Sequence, residues 1–162
     1  LIIAVNRDEM KDRAWVAPGR HWPERSHIIA GMDQEGGGTW LALSNYGLIS
    51  AVLNRESSLG PAPGKRSRGE LPLEATDHAE ARIAASALEL LEPTSYQTFN
   101  LVIADSREAF WLRSNAQHID KVEIPEGLSM VTSHDLNDTC SSERIRIYLP
   151  QFRAARLRTE SP

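Results

Sequence analysis

Two short apolar runs joined by Asn-Tyr-Gly are the feature that most constrains the fold of this chain. The runs extend from Thr39 to Ser44 and from Leu48 to Asn54, and Gly47 ends the connection between them. Glycine adopts positive φ without steric cost, so this spacing predicts a β-hairpin with Gly47 in the turn. A hairpin pairs its strands antiparallel, and the sequence therefore predicts an antiparallel sheet.

Other short runs rich in β-branched and aromatic residues predict further strands. The chain opens on one of them, Leu1 to Val5, which has the composition of a buried strand. The Pro-, Gly- and Arg-rich stretch from Lys11 to Ile28 predicts an irregular loop, and Ser57 to Gly69 has the composition of a linker. Four more strands are predicted at Phe99–Asp105, Ala109–Arg113, His118–Ile124 and Leu128–Ser133.

Helical spacing of apolar residues occurs in two places. Thr76 to Leu91 is predicted as a helix, with Asp77 and Glu80 forming a capping box at its start. A last helix is predicted from Ser142, kinked or restarted at Pro150. Their apolar stripes are Ala81, Ala84, Ala85, Leu88 and Leu91 in the first, and Ile145, Leu149 and Phe152 in the second. Strands that follow a helix without regular alternation indicate an α+β fold.

Composition narrows the class of protein. A chain of 162 residues is long enough for one domain, so residues 1–162 are interpreted as a single domain. The formal charge of -4 gives no support to nucleic-acid binding, and no apolar run reaches the length of a membrane span. The single cysteine, Cys140, excludes an internal disulfide and fits a reducing compartment, so a cytoplasmic location is expected.

A basic triplet interrupts the linker-like stretch. Lys65, Arg66 and Arg68 follow two glycines, but the first glycine lies one residue too close for a phosphate-binding loop. The triplet, with Arg68 as the chosen candidate, can still hold a carboxylate or phosphate through charge-assisted hydrogen bonds. The alternative is a solvated basic loop.

His134 is the histidine most suggestive of a site. It follows a predicted strand and is flanked by Asp135 and, four residues on, Asp138. Turn and capping chemistry explains the same residues as well as ligand binding does. None of the five histidines has a carboxylate or second histidine at metal-site spacing, so no metal centre is predicted.

Four polar residues end the opening run: Asn6, Arg7, Asp8 and Glu9. Strand alternation sends Asn6 and Asp8 to one face and the other two to the opposite face. An amide donor beside a carboxylate acceptor can orient an amine, a thiol or a backbone group. The alternative is a solvated end of a strand.

Several motifs in order resemble the NRDE-domain family, also called the transport and Golgi organisation protein two family. They are "AVNRDEM", "HWPE", "GGGTWLAL", "SAVLNRES", "GKRSRGELP", "FNLVIAD" and "MVTSHDLND", and they extend over nearly the whole chain. The resemblance implies a four-layer αββα sandwich of antiparallel sheets, as in N-terminal-nucleophile hydrolases. It also implies kinship in fold with penicillin V acylases and bile salt hydrolases.

In those hydrolases an N-terminal cysteine attacks an amide, and nearby Asn and Asp groups position its amine and the oxyanion. By resemblance alone, Asn6, Asp8 and Asn54 match those supporting positions, with Asn54 as oxyanion donor. Family members typically begin with Met-Cys, so the resemblance implies that the nucleophile and the first strand are missing here. Longer relatives continue beyond the last helix, which leaves a second truncation open.

The resemblance leaves two functions open. In the first, the protein handles haem or another small ligand on an amidohydrolase-like fold without its chemistry; His134 and His21 are then candidate axial ligands. In the second, the full-length protein is a cysteine-nucleophile amidohydrolase acting on a linear or acyl amide. A fold shared with enzymes does not decide between them.

Overall fold

A computed structural model of the chain describes residues 1–7 and 11–155. Within these residues seven antiparallel strands form one sheet, in which each strand pairs with the next one along the chain. The strands are β1 (Trp15–Gly19), β2 (Ile28–Asp33), β3 (Leu41–Ser44), β4 (Ile49–Asn54), β5 (Phe99–Ala104), β6 (Ala109–Ser114) and β7 (Ile119–Glu123). The helices are α1 (Leu71–Thr76), α2 (Ala81–Glu89) and α3 (Glu143–Ala154).

Helices α1 and α2 cover one face of the sheet, here called the helix face. Alternate residues of the central strands point to this face and pack on the alanine-rich side of α2. The buried residues include Leu48, Phe99, Leu101, Ile103, Phe110, Leu112, Ala81, Ala84, Ala85 and Leu88. A smaller cluster of Ile28, Ala30 and Ala42 packs on Leu73 of α1. The main core therefore lies between the sheet and the two helices.

The opposite side of the sheet, here called the open face, is less covered. Ile29, Leu43 and Val122 point to this side and remain exposed. The segment 1–7 lies across part of it, because a cleft of about 290 Å³ has walls from both the segment and the β3–β4 hairpin. The lining residues are Leu1, Ile3, Leu43, Gly47, Ile49 and Ser106.

The hairpin, the α+β class and the antiparallel sheet are confirmed. Strands β3 and β4 pair around a turn in which Gly47 has φ +82°. The buried stripe Ala81, Ala84, Ala85 and Leu88 lies in α2 as predicted. The last helix also forms, and Pro150 lies inside it without ending it. No helix among the described residues is long and apolar enough to cross a membrane.

Three strand and loop predictions are wrong. Leu1 to Val5 forms no strand, because none of the described strands pairs with it, and Leu1 and Ile2 are exposed. The loop predicted from Lys11 to Ile28 contains β1, an edge strand whose register shifts between Val16 and Gly19 around a proline. Leu128 to Ser133 is irregular, because side chains and loop residues take up its main-chain groups.

The helix predicted from Thr76 to Leu91 is shorter, because Thr76 ends α1 and α2 begins only at Ala81, and the predicted capping box does not form. The Asp77 carboxylate accepts from Arg25 Nε at 3.0 Å, and Glu80 makes no side-chain cap. Asp105, at the end of β5, caps α2 instead by accepting from the Ala81 amide at 2.9 Å. The capping group thus comes from a strand 24 residues away in sequence.

Asp105 also closes the turn between β5 and β6. Its other oxygen accepts from the amides of Arg107 and Glu108 at 2.8 and 3.1 Å. Burial raises the pKa of the Asp105 carboxyl, but the three backbone hydrogen bonds outweigh burial and hold that pKa below its ordinary value. The carboxylate therefore joins the helix layer to the sheet in its charged form.

We expect Asp105→Ala to lower the free energy of unfolding by about 2 kcal/mol, because one helix cap and one turn lose their acceptor. Chemical denaturation measures the change, with the exposed Glu126→Ala as control. Because the folded-state pKa is lowered, this stabilisation is full above the ordinary value of 3.8 and is lost as pH falls through the folded-state pKa. An effect that persisted unchanged to about pH 2 would contradict the role of the charge.

Candidate functional site

A fully buried asparagine on the open face organises the candidate site. Asn100 of β5 accepts from Arg55 Nη1 at 2.7 Å and from Trp111 Nε1 at 3.1 Å through its Oδ1. Its Nδ2 donates to the carbonyl oxygens of Thr132 and His134, both at 2.8 Å. All four hydrogen-bonding positions of the amide are therefore used, as a buried polar group requires.

A cluster of charges lies beside this amide. Asp135 forms ion pairs with Arg55 Nη2 and Arg113 Nη1, both at 2.7 Å. Arg113 also bonds Asp120 of β7 at 2.6 Å. Burial raises the pKa of the Asp135 carboxyl, but the hydrogen bonds from the two arginines outweigh burial and lower that pKa below its ordinary value. Asp135 is therefore an anion at neutral pH.

Asp135 and the two carbonyls that accept from Asn100 belong to a loop closed at its base, residues 130–137, here called the pinched loop. Asn137 has φ +56° and closes the base through two hydrogen bonds with Met130. Its Oδ1 accepts from the Met130 amide at 2.8 Å, and its own amide donates to the Met130 carbonyl at 2.9 Å. Asn tolerates this left-handed conformation better than most residues do.

The pinched loop leads into α3. Ser142 caps that helix by accepting from the Ile145 amide at 3.3 Å, and its hydroxyl lies 3.1 Å from the Thr132 hydroxyl. Between the loop, α3 and segment 1–7 is a cleft of about 350 Å³, here called the α3 cleft. Its lining residues are Asn6, Met130, Arg144, Tyr148 and Phe152. A cleft of this size with mostly apolar walls is suited to a small molecule.

The structure places the two candidate haem ligands apart. His134 lies in the pinched loop, with Ser133 Oγ 3.2 Å from Nδ1 and a Glu56 oxygen 3.4 Å from Nε2. His21 follows β1, and its Nε2 lies 2.8 Å from the Ala17 carbonyl oxygen. Strands β1 and β5 are four positions apart, about 19 Å at the usual strand spacing. One histidine is enough for haem iron, so each ring is a separate candidate ligand, and haem binding by His134 or His21 stays a prediction.

The basic triplet attaches its loop to the start of β5. Arg68 Nη1 donates to Ser58 Oγ at 2.8 Å and to the Thr98 carbonyl at 2.9 Å. Arg66 pairs with Glu70 and Glu74, and Lys65 donates to the Thr94 carbonyl. These contacts give all three side chains a role in the fold, and anion binding by Arg68 stays a prediction.

The motif residues that the structure describes lie in different places. Asn6 lines the α3 cleft, and the Arg7 guanidinium lies 4.6 Å from the ring centroid of Trp40. Asn54 pairs with Phe99, so strand alternation places it on the helix face. Asp8 and Glu9 lie outside the described residues.

Asn100, Arg55 and Arg113 were not among the residues selected from the sequence. One signal was present: Asn100 is an amide inside the otherwise apolar run "FNLVIA". A buried amide in a strand needs partners on both its donor and acceptor sides. The sequence does not say which partners, because the loop that supplies two of them lies more than 30 residues away.

We expect Asn100→Leu to lower the free energy of unfolding by about 3 kcal/mol or more, because it leaves two donors and two carbonyls without partners. Asn100→Asp tests the two sides of the amide separately. A carboxylate still accepts from Arg55 and Trp111, but it repels the loop carbonyls to which the amide donates. Urea unfolding gives the stability, and hydrogen exchange shows whether the pinched loop alone opens in the Asp variant. Asn115→Ala, in an exposed turn, is the control; similar losses for it and Asn100→Leu would rule out a special role for Asn100.

Comparison with known proteins places the chain in a family. A family described as "Transport and Golgi organisation 2" matches residues 1–155. The mouse protein "Transport and Golgi organization 2 homolog" is 34% identical over 113 residues, which are 65% of this chain and 38% of that protein. Bovine and human proteins named "Transport and Golgi organization protein 2 homolog" are 34% and 33% identical, with the same shares covered.

The matched stretch is thus well under half the length of these relatives. The family match, by contrast, includes all of β1 to β7 and α1 to α3. Every element that builds the Asn100 network and the α3 cleft therefore lies inside the matched residues. The chain belongs to the Transport and Golgi organisation 2 family.

Proposed function

We propose that this protein binds a small amphipathic ligand in the α3 cleft, and that haem is that ligand. The observation that carries the proposal is the composition of the cleft. Met130, Tyr148 and Phe152 give it three large apolar or aromatic walls, and Asn6 adds an amide. Tyr148 and Phe152 lie on one stripe of α3 and both remain exposed, so they form an apolar patch beside the cleft.

The side chains of the cleft fit haem better than the two histidines do. A thioether and a phenol both serve as iron ligands in haem proteins, and Met130 and Tyr148 supply one of each. The His134 ring has polar neighbours at both nitrogens, and the His21 ring is bonded at Nε2. Haem as cargo would therefore bind through the cleft residues, with the planar ring against Phe152.

A second candidate is a cysteine-nucleophile amidohydrolase, and the position of Asn6 favours it. Asn6 belongs to the motif that resembles the hydrolases' Asn-x-Asp segment, and it lines the same cleft. An amide substrate in the cleft would lie within reach of that side chain. The attacking cysteine would have to come from a segment before Leu1 in a longer protein.

We also propose that the open face is the inner surface of a four-layer αββα sandwich. Ile29, Leu43 and Val122 lie on it without cover, although apolar residues of a sheet normally pack against another layer. In the proposed arrangement a second antiparallel sheet covers these side chains, and α3 lies at its margin.

The ligand proposal predicts saturable haemin binding that depends on the walls of the cleft. Tyr148→Ala and Phe152→Ala should each weaken binding roughly tenfold, because each removes an aromatic contact of about 1–2 kcal/mol. Titration followed at the Soret band measures the affinity. Ile147→Ala is the matched control, since Ile147 is exposed on the same helix and does not line the cleft.

Equal weakening by all three substitutions would mean that α3 is merely disturbed. Absence of haemin binding by the wild-type protein would remove the haem proposal. Hydrolysis of an acyl-amide panel by a longer protein, lost on Asn6→Ala, would then favour the amidohydrolase.

The fold proposal is tested by a crystal structure of the longer mouse relative. We expect a second sheet over the residues that match Ile29 and Leu43, because their exposed side chains need an apolar layer. A solvent-facing sheet at those positions would contradict the four-layer arrangement.

A further inference from the structure

We infer that Asp135 is a positioning residue for the α3 cleft: its ion pairs with Arg55 and Arg113 fix the pinched loop, and the loop fixes the cleft walls. The inference rests on the proposed function in one respect, because the cleft is taken as the ligand site. It concerns a residue that does not line the cleft.

Both walls of the cleft depend on the pinched loop. Met130 is the first residue of the loop and is held at its base by Asn137. Arg144, Tyr148 and Phe152 belong to α3, whose capping residue Ser142 contacts Thr132 in the loop. The loop wall and the α3 wall of the cleft therefore both depend on where the pinched loop lies.

Two side chains, Asn100 and Asp135, hold the loop against the sheet in different ways, and the Glu56 amide also donates to the Ser133 carbonyl at 3.3 Å. Asn100 holds the carbonyls of Thr132 and His134 through neutral hydrogen bonds from a fully buried amide. Asp135, the next residue of the loop, forms two ion pairs at the margin of the sheet. Loss of Asn100 exposes a buried network, whereas loss of Asp135 leaves that network in place and frees one side of the loop.

Arg113 provides an internal control, because it bonds one carboxylate in the loop and one in the sheet. Asp135 and Asp120 lie 2.7 and 2.6 Å from its two terminal nitrogens. Removing either charge leaves Arg113 with one carboxylate partner. Only the removal of Asp135 takes ion pairs from the loop, since Asp120 belongs to β7.

The experiment compares Asp135→Asn, Asp120→Asn and Asp135→Glu in the full chain. Hydrogen exchange of peptides covering 128–138 and α3 reports how readily the loop and the helix open, and haemin titration reports binding in the cleft. We expect faster exchange of both peptides and roughly tenfold weaker haemin binding in Asp135→Asn alone, the low end of the effect of losing a group that orients a binding residue. Asp135→Glu keeps the charge and should restore much of the binding.

Equal exchange in Asp135→Asn and Asp120→Asn would overturn the inference, and so would faster exchange with unchanged haemin affinity. A protein that binds no haemin in any form would remove the proposed ligand and leave the exchange comparison to decide on Asp135. Faster exchange at both the loop and α3 in that case would still establish the positioning role.

Discussion

The amide of Asn100 is the interaction on which the open face depends. At this position the sheet meets an irregular loop, which brings two main-chain carbonyls against a side chain that is fully buried. Each such carbonyl needs a donor, and a buried donor needs an acceptor on its other side. One asparagine supplies both, which is why a single polar side chain lies in the middle of an apolar strand.

The charges around Asn100 follow from that requirement. Arg55 approaches the amide oxygen from just after β4, and a half-buried guanidinium is stabilised by a carboxylate partner. Asp135 supplies it, and its second oxygen pairs with Arg113. The loop is thus fixed by a chain of pairings that begins at one buried amide, and α3 is fixed in turn by the loop.

Local patterns in the sequence correctly predicted the elements whose conformation depends only on residues nearby in the sequence. The β3–β4 hairpin needs only alternating apolar runs and Gly47, and the stripe of α2 needs only its own spacing. The cap of α2 could not be predicted in this way, because Asp105 reaches it from another strand. Leu1 to Val5 was misassigned for a related reason, since five apolar residues do not say whether a partner strand lies beside them.

For the site, too, local patterns in the sequence indicated some residues, and tertiary contacts decided what those residues do. Arg68 and His134 were selected because charged and titratable residues in loops often bind ligands. In the structure Arg68 holds its loop to β5, while the loop of His134 carries Met130 to the α3 cleft. The sequence indicates that these segments are unusual. Only the folded structure shows which residues line the α3 cleft and which residues hold the lining residues in place. The walls of the α3 cleft come from a loop and a helix that are not joined by a ladder of hydrogen bonds. The shape of the cleft therefore depends on the side chains that hold the loop, and these are Asn100 and Asp135.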